Sequence, residues 1–162
     1  MKKDIKPAAL KSDEYYMKKA LRHAEKAGVG GEAPVGAVVV YNGRIIAFGE
    51  NARESGKNPL RHAEITAIER ASKRMGGWRL HECELYVTLE PCPMCAGAII
   101  NSRIKRVVIG AADKRFGCFG GHVDFNEFGF NHKPEIIFGV MRSECSELMS
   151  GFFKRLREKR EK

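Results

Sequence analysis

The sequence predicts one α/β domain. Three observations carry this: helix-periodic and strand-periodic segments alternate along the chain, 162 residues suffice for one sizeable core, and no repeat or linker divides them. In order, Ser12 or Asp13 caps a helix over residues 13–27, with Tyr16, Ala20, Leu21, Ala24 and Ala27 at helical spacing. Gly28-Val29-Gly30-Gly31 ends it. This cluster follows a helix and precedes a strand, the reverse of a dinucleotide loop, so it reads as a turn. Residues 35–40 and 44–48 read as strands joined by the hairpin turn Asn42-Gly43. A polar loop, 51–59, leads past Pro59 to a helix over 62–75, and 84–89 is a strand rich in β-formers. Pro93 opens a helix over 93–101. A strand over 105–109 precedes a glycine-rich loop to Gly121. A short strand over 135–138 leads to a last amphipathic helix, 143–161, with Leu148, Phe152 and Leu156 on one face.

Composition narrows the function classes. Hydrophobic residues at 43% and charged residues at 30% are a globular balance, and the longest apolar stretch, 33–41, is too short to cross a bilayer. Residues 1–12 are basic and lack an apolar core, so they read as a mobile arm rather than a signal peptide, and a cytoplasmic protein is expected. A net charge of +9, with Lys154-Arg155-Leu156-Arg157-Glu158-Lys159-Arg160 as a terminal basic block, favours a polyanionic partner. Five cysteines, an odd number, with a single Cys-x-x-Cys argue against a disulfide framework. Cys83, Cys118 and Cys145 read as small buried hydrophobes.

The chemistry lies in His62-Ala63-Glu64 and Pro91-Cys92-Pro93-Met94-Cys95. His62, Cys92 and Cys95 are three soft metal ligands, a donor set that favours zinc, and three protein ligands leave a fourth position open for water. Glu64 is not needed as a ligand and stands where it could accept a proton from that water and return it to a substrate. Both halves start helices after extended segments, and the i, i+3 spacing of Cys92 and Cys95 places both thiolates on one helix face. H-x-E followed by P-C-x-x-C is the known signature of zinc deaminases that act on nucleobases.

Along nearly its whole length, from about Tyr15 to Arg157, the chain resembles the bacterial tRNA-specific adenosine deaminases of the cytidine-deaminase-like superfamily. The resemblance runs through Glu32-Ala33-Pro34-Val35-Gly36-Ala37, His62-Ala63-Glu64-Ile65 and Leu85-Tyr86-Val87-Thr88-Leu89-Glu90-Pro91-Cys92. It continues through Met94-Cys95-Ala96-Gly97-Ala98, Arg106-Val107-Val108-Ile109-Gly110-Ala111, Asn131-His132 and Phe152-Phe153-Lys154. It implies a three-layer α/β/α fold with a central mixed five-stranded sheet, one zinc ion per subunit and a homodimer. It also implies deamination of adenosine to inosine at the wobble position of a tRNA anticodon stem-loop. Glu64 would shuttle the proton, Asn51 would meet the flipped purine and its sugar, Asn131 and Phe153 the anticodon loop, and Lys154 and Arg157 its phosphates. Aromatic rings beside cations suit single-stranded RNA on independent grounds. Phe152 reads as core.

The chain departs from the family pattern at Leu60-Arg61, Ala112, Gly121-His122 and Lys133, positions that bear on which nucleic acid is held rather than on zinc chemistry. Two other readings compete. A deaminase of a free base or nucleoside, such as guanine or cytosine, would need neither the basic terminal helix nor the aromatic beside it. A zinc-containing RNA-binding module without catalysis would need neither Glu64 nor the missing fourth ligand.

Overall fold

The computed structural model describes residues 4–162. Its one sheet has five strands: β1 (Gly36–Tyr41), β2 (Arg44–Glu50), β3 (Glu84–Leu89), β4 (Arg106–Ala111) and β5 (Glu135–Phe138), in the order β2-β1-β3-β4-β5. β1 runs antiparallel to β2 and β3, while β3, β4 and β5 are parallel, so the sheet is mixed. The four long helices are α1 (Asp13–Val29), α2 (Ala63–Met75), α3 (Pro93–Ser102) and α4 (Arg142–Arg160). The expected elements match these within two residues at each boundary. A three-residue 3₁₀ turn, Phe125–Glu127, was not foreseen; Asp124 closes it by accepting from the Asn126 N–H.

Alternation along the strands builds two cores. Ala37, Val39, Leu85, Val87, Val107 and Ile109 face α2 and α3, where they meet Ala63, Ala67, Ala71, Ala96 and Ile99. Val38, Val40, Tyr86 and Val108 face the other way, onto Tyr16, Met17, Ala20, Leu21 and Cys145 of α1 and α4. Strands buried on both faces read as unbroken apolar runs, which is why all six residues of β1 are buried. The layers are therefore α1 and α4, then the sheet, then α2 and α3. A side chain at Gly49 of β2 would collide with the Ala63 carbonyl, so glycine there lets α2 begin against the sheet.

Ser12 is the cap of α1, its hydroxyl accepting from the Tyr15 N–H at 3.2 Å. Of the basic arm, residues 1–3 fall outside the described residues. The remainder has anchors that its composition does not announce. Ala8 N–H donates to the Asn42 carbonyl, Arg44 Nε donates to the Lys6 carbonyl at 2.8 Å, and Ile5 packs on the larger core.

A polar cluster invisible to periodicity ties α1 to the sheet. Arg106 donates two bonds to the Asp13 carboxylate, at 2.9 and 2.7 Å, and one to Glu84 at 3.0 Å, while Tyr86 donates to both acids. The Arg106 bonds hold the Asp13 carboxyl below its ordinary value. A depressed carboxyl stabilises the fold above its unfolded pKa of about 3.9, and that contribution is lost as pH falls through the folded value. Asp13→Asn should therefore lower the urea midpoint at pH 7, and the gap from the unchanged chain should close as pH drops below about 4. A gap that widens on acidification would contradict this assignment.

Candidate active site

α2 and α3 begin side by side at the carboxyl end of β3, and their first residues carry the chemistry. His62 and Cys92 occupy the N-cap positions of α2 and α3, and neither side chain makes a cap hydrogen bond. Released from capping, both turn toward each other: His62 Nδ1 lies 3.6 Å from Cys92 Sγ and 3.5 Å from Cys95 Sγ. The three ligand atoms all fall within 4.8 Å of one another. A tetrahedral zinc ion with bonds of about 2.05 Å to nitrogen and about 2.3 Å to sulfur has N···S edges of about 3.6 Å, so the triad fits it. The donor chemistry agrees, since one imidazole and two sulfurs suit zinc. Pro93 at the start of α3 and the Ala96 N–H, bonded to the Cys92 carbonyl, fix the turn that aims both sulfurs the same way.

Cys92 is drawn down to about 4, first by the hydrogen bond from Cys95 and then by His62, while Cys95 is pushed far up because it is the donor. His62 is raised, chiefly by its hydrogen bond with Cys92. A divalent cation would displace these protons, because it binds thiolates and neutral imidazole.

Glu64 lies in the first turn of α2, 4% exposed, with its carboxyl beside Cys95. Burial is the main cause that lifts it to about 6. A carboxyl with that poise, unneeded as a ligand, can take a proton near neutral pH and give it back.

The remaining expected residues are distributed around this centre. Asn51 follows β2; its Nδ2 donates to the Ala33 carbonyl at 3.1 Å and its Oδ1 accepts from the Arg53 N–H. It opens the loop that returns to His62, closed by the Ala52 N–H on the Arg61 carbonyl. Leu60 and Arg61 are exposed on that loop. Asn131 is exposed ahead of β5. Phe153, Lys154 and Arg157 sit on α4, across the sheet from α2 and α3. Phe153 is half-buried and packs edge-on against Phe152, which is likewise half-buried rather than fully in the core. The structure thus unites His62, Glu64, Cys92 and Cys95, and leaves the other five on surrounding elements.

Periodicity missed two buried carboxylates. Glu32, 4% exposed, accepts from the Ser55 and Glu54 N–H groups at 2.6 and 3.1 Å and so holds the loop that precedes His62. Glu90, 2% exposed, holds the loop after β4 in the same way. Each continues or borders an apolar segment, and an acid in that setting was the available signal. His132 Nε2 lies 2.6 Å from the Ile104 carbonyl, which fixes the segment before β5.

Residues 10–111 match the family of the cytidine and deoxycytidylate deaminase zinc-binding region. The chain is 49% identical over 149 residues to the tRNA-specific adenosine deaminase of Bacillus subtilis, covering 91% of this chain and 92% of that one. A solved structure from studies of A-to-I editing by tRNA:A34 deaminases at the wobble position of transfer RNA superposes with a TM-score of 0.77. It shares 39% identity and covers 83% of this chain and 98% of its own. A guanine deaminase structure from Bacillus subtilis is more distant, with a TM-score of 0.62 and 30% identity over 91% of this chain and 95% of that one.

Proposed function

The chain belongs to the cytidine and deoxycytidylate deaminase family, and from that premise we propose that it converts adenosine to inosine at the wobble position of a tRNA anticodon, releasing ammonia. The observation that carries the choice of substrate is the likeness, over nine-tenths of both chains, to the tRNA-specific deaminase of Bacillus subtilis. The likeness to guanine deaminase is weaker in sequence, at 30% identity to the Bacillus subtilis enzyme.

His62, Cys92 and Cys95 would hold a zinc ion. Bound there, zinc would supply the acidity that activates a water for attack. The other roles fall to the chain. Glu64 accepts a proton from the water as its oxygen adds to C6 of adenine, and donates one to N1. It then takes the remaining proton from the new C6 hydroxyl and passes it to the amino group, which leaves as ammonia while the C6 carbonyl forms, so that water and adenosine balance inosine and ammonia. The base is reached after it leaves the loop stack, at a cost kept small because an anticodon loop is already single-stranded. Asn51 is the contact for the purine and its sugar. Asn131 and Phe153 meet the flanking loop, and Lys154 and Arg157 meet phosphates.

Among the described residues, no helix is long and apolar enough to cross a membrane. We assign the chain to the cytoplasm, where this substrate is found, and to a homodimer, in keeping with the family resemblance. The test is positional. An anticodon stem-loop with adenosine at the wobble position should acquire inosine there, and the same loop with that adenosine moved one nucleotide should not. Equal conversion at both positions would overturn the wobble assignment.

A further inference from the structure

Glu90 has no part in the chemistry above, yet it is among the most completely committed side chains in the chain. It lies two residues before Cys92 and accepts three backbone N–H bonds from a single loop: Asp113 at 2.8 Å, Phe119 at 3.0 Å and Gly121 at 2.8 Å. Two backbone bonds join the same partners, from Glu90 N–H to the Ala111 carbonyl and from Cys118 N–H to the Pro91 carbonyl. Five hydrogen bonds thus fasten residues 111–121 to the strand end that carries the metal ligand. The loop wraps the carboxylate closely enough that a side chain at Gly117 would run into Glu90 Oε2.

The fixation continues outward. Asp113, whose N–H is held by Glu90, accepts with its own Oδ1 from the Arg115 N–H at 2.9 Å and the Phe116 N–H at 3.2 Å. That side chain closes a rigid turn. The turn presents Lys114, Arg115 and Phe116 to solvent, Phe116 being 60% exposed. An exposed ring next to two cations on a turn closed by side-chain hydrogen bonds suits a single-stranded nucleic acid, whose base stacks on the ring while its phosphates meet the cations.

We propose that Glu90 is a positioning residue which, through Asp113, presents Arg115 and Phe116 as a preformed contact for the RNA strand beside the metal triad. The proposal rests on the reading of the site as an RNA deaminase. Its physical basis is preorganisation: a loop already fixed loses little freedom on binding, so its release weakens binding more than chemistry. Neither Arg115 nor Phe116 touches the reacting atoms, so the effect falls on KM.

The experiment uses the metal-loaded full chain, an anticodon stem-loop as probe, and Glu90→Ala, Glu90→Gln, Gly117→Ala and Phe116→Ala. Inosine formation gives kcat and KM. The stem-loop Kd is measured in a Glu64→Ala background, and zinc is counted per chain. Glu90→Ala should raise KM and Kd about tenfold, with kcat within about threefold and one zinc retained. Glu90→Gln keeps acceptor capacity for Phe119 and Gly121 but sets a donor against the Asp113 N–H, so its effect should be intermediate. Gly117→Ala should follow Glu90→Ala, and Phe116→Ala should add little once Glu90 is gone, because the two act as one unit. If Glu90→Ala does not fold, the Gln and Gly117 variants decide. Unchanged KM and Kd, or loss of zinc together with kcat, would overturn the proposal. A chain that binds the stem-loop but forms no inosine counts against the reaction assigned above, and the Kd comparison alone then decides the role of Glu90. Absence of binding by every form would overturn both.

Discussion

Glu64→Ala should lower kcat on a wobble-adenosine stem-loop by about a thousandfold, within the 10²–10⁴ range of general acid–base catalysis, while zinc stays at one per chain. The size follows from the roles one carboxyl fills. In the proposed reaction it takes the proton from water, protonates the ring nitrogen and supplies the departing amine, and no second carboxylate joins the His62, Cys92 and Cys95 cluster among the described residues. Metal retention follows from the triad, which is complete without Glu64. Glu64→Gln preserves shape and hydrogen bonding but cannot carry a proton, so it should be nearly as inactive as the alanine variant. Activity within tenfold of the unchanged chain in either variant would remove Glu64 from the reaction. Removal of a buried carboxyl held near 6 by desolvation is not expected to destabilise the fold, since the charged form is the one burial disfavours.

Stripping the metal should be as severe for activity and, unlike loss of Glu64, should also be felt in stability. Chelation, or Cys95→Ser, should abolish inosine formation, and adding zinc should restore the chelated chain but not the variant. Cys95 is buried on the first turn of α3 while His62 occupies the N-cap position of α2, so one ion would join two helix starts. Zinc at about 100 times its Kd stabilises the folded state by about 2.7 kcal/mol, which for a chain of this size is about 5–10 °C in Tm. Calorimetry with and without chelator reads the shift. An unchanged Tm together with unchanged activity would show that the triad holds no metal the protein uses.

Much of the fold was legible because its signals are local and repeated. The apolar runs of β1 and β3, Asn42-Gly43 between β1 and β2, Pro93 at the start of α3 and the 3.6-residue spacing in α1 each fix an element without reference to the rest of the chain. The metal triad was legible for a different reason. Its ligands fall in two short motifs, and the residue types alone restrict what they can bind. Contacts between distant residues were not legible. Asp13 meets Arg106 across 93 positions, and Glu90 meets Gly121 across 31. In sequence each looks like an ordinary charged residue; only the fold makes a buried carboxylate seek three amides. The placement of Asn131 and of the α4 residues around the centre rests on the family resemblance, since periodicity gives a helix its buried face and not its partner. Leu60-Arg61 and His122, which depart from the family pattern, are exposed, so they alter what the site presents rather than how it is built.

The central claim is that this chain acts on adenosine within an RNA loop and not on a free base. The direct measurement is kcat/KM for one metal-loaded preparation on a wobble-adenosine stem-loop and, separately, on free guanine and free cytosine. The account predicts inosine from the stem-loop and ammonia from neither free base above the rate of the Glu64→Ala chain. Ammonia released from guanine or cytosine, with the stem-loop adenosine left intact, would contradict it.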